Sequence, residues 1–226
     1  MNRWLDRGIT LLLLVLLGWA GWSMLHWLLV EADWSVVTTN LPLYAVGSFP
    51  ADQRWRPLLW MAALITLTLL TLAGPKRGWV RRWLPLVWIA MAPLGLWLLA
   101  GGLGLLPVGT RSWGGLTLTL LLTGGSGALA LPLGILLALG RRSELPVLCW
   151  SSAAYIELMR AVPLIAVLFF GQLLIPLFLP PGLEINRVLR AVVAFALFAA
   201  AYIAEDVRGG LQAIPPTQQE AAAVLG

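Results

Sequence analysis

Apolar residues in this chain come in runs rather than in alternation. "TLLLLVLLGWAGW", beginning at Thr10, has no period of two, and similar runs recur to about residue 207. About 20 apolar residues cross a hydrocarbon core as a helix, and only a helix or a closed barrel satisfies its backbone there. Barrel strands would alternate apolar and polar over about ten residues. The pattern therefore predicts an all-α, polytopic helix bundle with about six transmembrane helices. They fall roughly at 9–30, 58–74, 84–106, 116–139, 161–180 and 188–207. The stretch 31–57 between the first two, polar with prolines and one glycine, reads as a loop. Within the later spans, Gly124, Gly125 and Gly127 read as a close-packing face. Pro132 reads as a kink, Pro163 as a first-turn proline, and Gly209–Gly210 as a helix stop.

Composition agrees with a lipid-solvated chain. Of 226 residues 60% are hydrophobic and 11% charged, against about a quarter charged in a soluble domain. The first run, Ile9 to Val30, covers 22 residues, longer than a signal-peptide core of about 7–15. It reads as a retained span.

The net charge of +5 describes topology better than nucleic-acid binding, because the basic residues sit between apolar runs. With the N-terminus cytoplasmic, the inner side holds Arg3, Arg7, Lys76, Arg77, Arg81, Arg82, Arg141, Arg142, Arg160 and Arg208. The outer side holds Arg54, Arg56, Arg111, Arg187 and Arg190. Ten against five favours that orientation. The lone Cys149 excludes an internal disulfide and a multi-cysteine metal site. His26 reads as an interfacial side chain, and no metal site is expected.

Candidate chemistry gathers after residue 111. Glycines, placed prolines and acids at helix ends appear there, whereas 1–111 reads as an accessory transmembrane region. The glycines of "LLTGGSGALALP" lack the lysine a phosphate loop requires. Glu157 and Arg160, three apart, lie on one helical face as a self-neutralising or functional pair. Tyr202 and Glu205 share a face near the end of the last span, where an ionisable group is either functional or reaches for interfacial water. "PPTQQEAAAVLG" then opens a new helix. Thr217 and Glu220 form a capping box, after two prolines that forbid helix immediately before it.

Here the residues resemble a known family. Glu220-Ala221-Ala222, with Gly226 four residues beyond, looks like the opening of the EAA loop of ABC importer permeases. "YIELMRAVPL" and "LPLGILLALGRRS" are similar to core helices of the polar amino acid permeases, in the expected order. The resemblance covers roughly 112–226, and the extra N-terminal spans look like the M-type permease of general L-amino acid importers. It implies a multi-pass inner-membrane permease core over 112–226 that ends inside the cytoplasmic coupling loop. It also implies amino acid transport, a second permease chain, an extracytoplasmic amino acid-binding protein and cytoplasmic ATPase subunits. Glu220, Ala221, Ala222 and Gly226 would be the coupling residues, and Tyr202 and Glu205 would border the substrate path. No catalytic residue and no cofactor of its own is implied; ATP is used by the partner subunit. The family motif continues past its glycine to two further spans, so the chain is expected to be incomplete at its C-terminus. An inactive truncated fragment is the alternative. A membrane-embedded enzyme using Glu205 and Asp206 is a weaker one, lacking paired histidines, a metal-ligand cluster or a nucleophile elbow.

Overall fold

The computed structural model describes residues 3–74, 78–180, 182–215, 217–218 and 224. The chain falls into two compact units, Met1–Pro42 and Leu43–Gly226. The first is dominated by α1, Arg3–His26, which continues through a π-helical turn, Trp27–Glu31. Among the described residues of this unit, none covers the most apolar window of α1. A helix so apolar on all sides is matched to lipid. The unit ends in α2, Ser35–Val46, whose last four residues belong to the second unit. This helix corrects the loop expected over 31–57. Asp33 makes its start: its carboxylate accepts from the Ser35 N–H at 2.9 Å, and hydrogen bonding from Ser35, through its side chain first and its backbone second, holds the Asp33 pKa below the ordinary carboxylate value.

The second unit holds α3 (Trp55–Leu72), α4 (Gly78–Ala100), α5 (Gly115–Arg141), α6 (Pro146–Ala161), α7 (Leu164–Phe169), α8 (Ile175–Phe178) and α9 (Arg187–Gln212). Among the described residues, five helices are long and apolar enough to cross a membrane: α1, α3, α4, α5 and α9. A sixth span arises if α6 and the bent segment after it count as one.

Three boundaries differ from the sequence reading, each for a local reason. Helix α4 stops at Ala100 rather than near 106, because Gly101, Gly102, Leu103 and Gly104 all take positive φ, which no right-handed helix accommodates. The fifth span is not one straight helix over 161–180. Helix α6 begins at Pro146, and the chain turns by 104° between Ala161 and Leu164. Val162 is held extended (φ −90°, ψ 135°) ahead of Pro163, as the proline ring requires of its predecessor. Finally, α9 runs straight through Gly209–Gly210 to Gln212. A glycine pair ends a helix only where the chain leaves the helical region, and here the φ of both stays negative.

Two interiors hold this unit together. One gathers Val46, Phe49, Trp60, Met61, Leu98, Leu99, Val108 and Trp113 where α2, α3 and α4 meet the start of α5. There Gly47 (φ +65°) lies so close to Gly114 that a Cβ on it would stand 2.5 Å from the Gly114 Cα. Thr117 fixes the crossing by donating to the Ala45 carbonyl at 2.9 Å.

The other interior is the α5–α9 seam. Ala130, Gly134 and Ala138 recur every four residues on α5, facing Ala196, Ala200 and Ala204, spaced alike on α9. Residues four apart share a helix face, and small side chains there let two backbones approach. A Cβ at Gly134 would meet Ile203 at 2.6 Å and the Ala200 carbonyl oxygen at 3.0 Å. The close approach expected at Gly124–Gly127 is instead about two to three turns further along, at Gly134. Gly124 and Gly127 face open space, and Gly125 has only ordinary contact with Val192.

Candidate functional site

At one end of the α5–α9 seam, three helices deliver charge to one point. Arg141 closes α5, Glu157 and Arg160 lie in the last turns of α6, and Glu205 and Arg208 lie near the end of α9. Glu205 is the hub. Its carboxylate accepts from Arg141 Nη1 at 2.8 Å and from Arg208 Nη2 at 2.7 Å, and it stands 3.4 Å from Arg160 Nη1. Arg208 also donates through Nε at 3.1 and 3.2 Å, so its fork grips both oxygens. Such two-point contacts add geometric definition to the charge attraction. The Glu205 side chain is only 15% exposed, so this carboxylate has exchanged water for guanidinium.

The pair read along α6 is not made. Glu157 stands 3.2 Å from Arg141 Nη2, while Arg160 turns to Glu205. The local spacing allowed a Glu157–Arg160 contact, but a buried carboxylate on another helix attracts Arg160 more than an exposed one on its own. Three arginines against two glutamates leave the cluster with a net +1.

Tyr202 belongs to the same neighbourhood. The Arg160 guanidinium lies 5.9 Å from its ring centroid, and Phe198 packs on it at 5.0 Å. Tyr202 and Glu205 are thus joined through Arg160, a side chain the sequence reading assigned elsewhere. Further hydrogen bonds tighten the junction. Tyr155 donates to the Leu197 carbonyl at 2.8 Å and Cys149 Sγ to the Arg141 carbonyl at 3.2 Å, while Arg208 Nη1 donates to the Gln212 side chain at 2.9 Å.

Chemically, the cluster is a clamp. It locks the ends of α5, α6 and α9 and leads directly into residues 213–226. Among the described residues no three His, Cys, Asp or Glu converge as metal ligands. Thr217 is helical, and the next N–H, that of Gln218, donates to the Pro215 carbonyl at 3.0 Å. Glu220, Ala221, Ala222 and Gly226 lie outside the described residues. The sequence reading missed Arg141, Arg160 and Arg208 as partners of Glu205, because it treated each only as a topology charge or a local pair.

Fold and charge distribution define a polytopic helical membrane protein. The comparisons take the assignment further, although no family model matches the chain. It is 42% identical over 210 residues to the inner membrane amino-acid ABC transporter permease protein YhdY of Escherichia coli (strain K12), covering 92% of this chain and 56% of the relative. It is 39% identical over 201 residues to the glutamate/glutamine/aspartate/asparagine transport system permease protein BztC of Rhodobacter capsulatus, covering 84% and 46%. A solved amino acid ABC transporter with histidines is 33% identical, covering 48% of this chain and 49% of its own, at a TM-score of 0.43. The chain belongs to the amino-acid ABC transporter permeases. It spans about half the length of the curated relatives it matches.

Proposed function

We propose that the chain is the membrane-spanning part of an amino acid importer in the inner membrane, coupled to a separate ATPase through residues 217–226. The observation that carries this reading is 42% identity to an amino-acid ABC permease along 92% of the chain. The clamp supports it physically. A coupling helix transmits force only if the span it continues from is fixed to its neighbours, and Glu205 ties α9 to α5 and α6 about three turns before Pro215. Residues 112–226 form the permease core in this reading. The excess of basic residues supports a cytoplasmic position for the clamp and the coupling segment.

In this assembly the ATPase grips the helix opened by Thr217, with Glu220 capping it or pairing with a basic residue of the partner. Ala221, Ala222 and Gly226 permit close approach. A second permease chain completes the pathway, which passes near Tyr202 and Glu205, and an extracytoplasmic binding protein delivers the amino acid. ATP is bound and hydrolysed by the partner, so this chain is not itself an enzyme.

The test is reconstitution of the complete transporter, with its ATPase and binding protein, and measurement of ATP-driven amino acid uptake. Uptake is expected in the wild type. In Gly226→Asp it should fall at least about ten-fold while ATP hydrolysis persists, because a charged side chain intrudes where close approach is required. Normal uptake in Gly226→Asp would overturn the coupling role. A folded assembly with no uptake of any amino acid would overturn the transport reading.

A further inference from the structure

The two ends of α9 treat charge oppositely. Arg190 and Glu205 stand fifteen residues apart on this helix, about 22 Å at 1.5 Å per residue. At the Glu205 end each arginine of the cluster meets a carboxylate. At the other end a cavity of about 350 Å³ opens between the Thr110–Ser112 turn and the start of α9. Arg111, Arg187, Arg190 and Glu184 line it, with Thr110 and Asn186. Among the described residues none of these arginines pairs with a carboxylate.

This cavity is held open by its own hydrogen bonds. Arg187 Nη2 donates to the Thr110 carbonyl at 2.6 Å, and Asn186 Nδ2 to the Thr110 hydroxyl at 3.2 Å. Arg190 Nη1 donates to the Gln172 carbonyl at 3.0 Å. Gln172 in turn donates to the Arg187 carbonyl at 2.8 Å. The Arg190 Nε is buried and has no acceptor. A carboxylate is the group a guanidinium fork fits best. The N-terminus of α9 adds partial positive charge at the same place.

We propose that this cavity is a receiving site for an acidic amino acid. Three cationic side chains and one carboxylate are the complement of a solute with two carboxylates and one ammonium. Arg187 and Arg190 take one carboxylate, Arg111 the other, and Glu184 the ammonium. A cavity of this size holds a small solute rather than a peptide segment. The inference rests on the transport reading only for its purpose; the binding itself is tested without transport.

The experiment is calorimetric titration of the full chain in phosphatidylcholine nanodiscs, with L-glutamate, L-glutamine and glutarate as probes. Glutamate should bind at least about ten-fold more tightly than glutamine, the worth of one charge-assisted contact. Arg111→Gln, at a side chain that makes no hydrogen bond among the described residues, should lower glutamate affinity by a similar factor, as should Arg190→Gln. Glu184→Gln should weaken glutamate and strengthen glutarate, which has no ammonium and feels only the repulsion. Equal binding of glutamate and glutamine, an Arg111→Gln chain that binds as the wild type does, or loss of glutamate binding when phosphatidylglycerol is added would each overturn the proposal. Glutamate binding with this pattern in a transporter that takes up no amino acid would sustain the site and overturn the transport reading instead.

Discussion

Replacing Glu205 by glutamine removes one negative charge from the point where three arginines converge and leaves shape nearly unchanged. Two of the contacts, to Arg141 at 2.8 Å and Arg208 at 2.7 Å, have full hydrogen-bond geometry. Each hydrogen bond to a charged group contributes roughly 1.5–3 kcal/mol when well sheltered. The arginines, however, are 27% and 33% exposed, so water recovers about half of that once the carboxylate is gone. The third contact, at 3.4 Å to an Arg160 that is 44% exposed, adds little. The expected loss for Glu205→Gln is therefore about 2 kcal/mol. For a chain of this size that is a fall of about 4–8 °C in Tm. Glu157 is the internal control. It carries the same charge in the same cluster but is 68% exposed and has one contact at 3.2 Å, so Glu157→Gln should cost under about 0.5 kcal/mol. The assay is thermal unfolding of both variants in one detergent, followed by tryptophan fluorescence. Equal midpoints would refute the argument that burial makes Glu205 the hub, and a Glu205→Gln chain as stable as the wild type would refute the clamp itself.

Gly134→Ala should destabilise by about 1–3 kcal/mol, because its methyl must displace Ile203 or separate two backbones. Gly124→Ala faces open space and should be neutral or slightly stabilising in the same thermal assay; equal losses at the two positions would contradict the α5–α9 seam. Arg56 is 1% exposed, with Nε and Nη2 lacking acceptors and Nη1 donating to the Gln53 side-chain oxygen and, at 2.9 Å, to the Leu106 carbonyl, with no carboxylate partner among the described residues. Arg56→Met should leave stability within about 1 kcal/mol of wild type or raise it, since an uncompensated buried charge is replaced by an apolar chain. A loss above about 2 kcal/mol would show instead that this guanidinium is satisfied.

Much of this was legible in the sequence. Runs of apolar residues longer than a signal core determined a helical membrane bundle, because lipid offers the backbone no partner. The ordered motifs around Leu131, Tyr155 and Glu220 pointed to the permease family before any fold was known. What periodicity could not supply was the partner of each charge. Glu157 and Arg160 have the spacing of an ion pair, yet each finds its partner on another helix. Nor could it supply which small residues meet. Gly124 and Gly134 look alike in a list of glycines, but only the second faces a neighbour. The loop expected over 31–57 contained a helix because a segment too short and too polar to span can still be ordered by a capping carboxylate and by packing at Gly47 and Thr117. Sequence alone determined what solvent the chain requires and what family it belongs to, since both follow from residue type and order. Only the tertiary structure decided that Glu205 is shared by three helices and that Arg111, Arg187 and Arg190 pair with no carboxylate among the described residues. Electrostatic pairing depends on distances between elements, and those are set by how the helices pack.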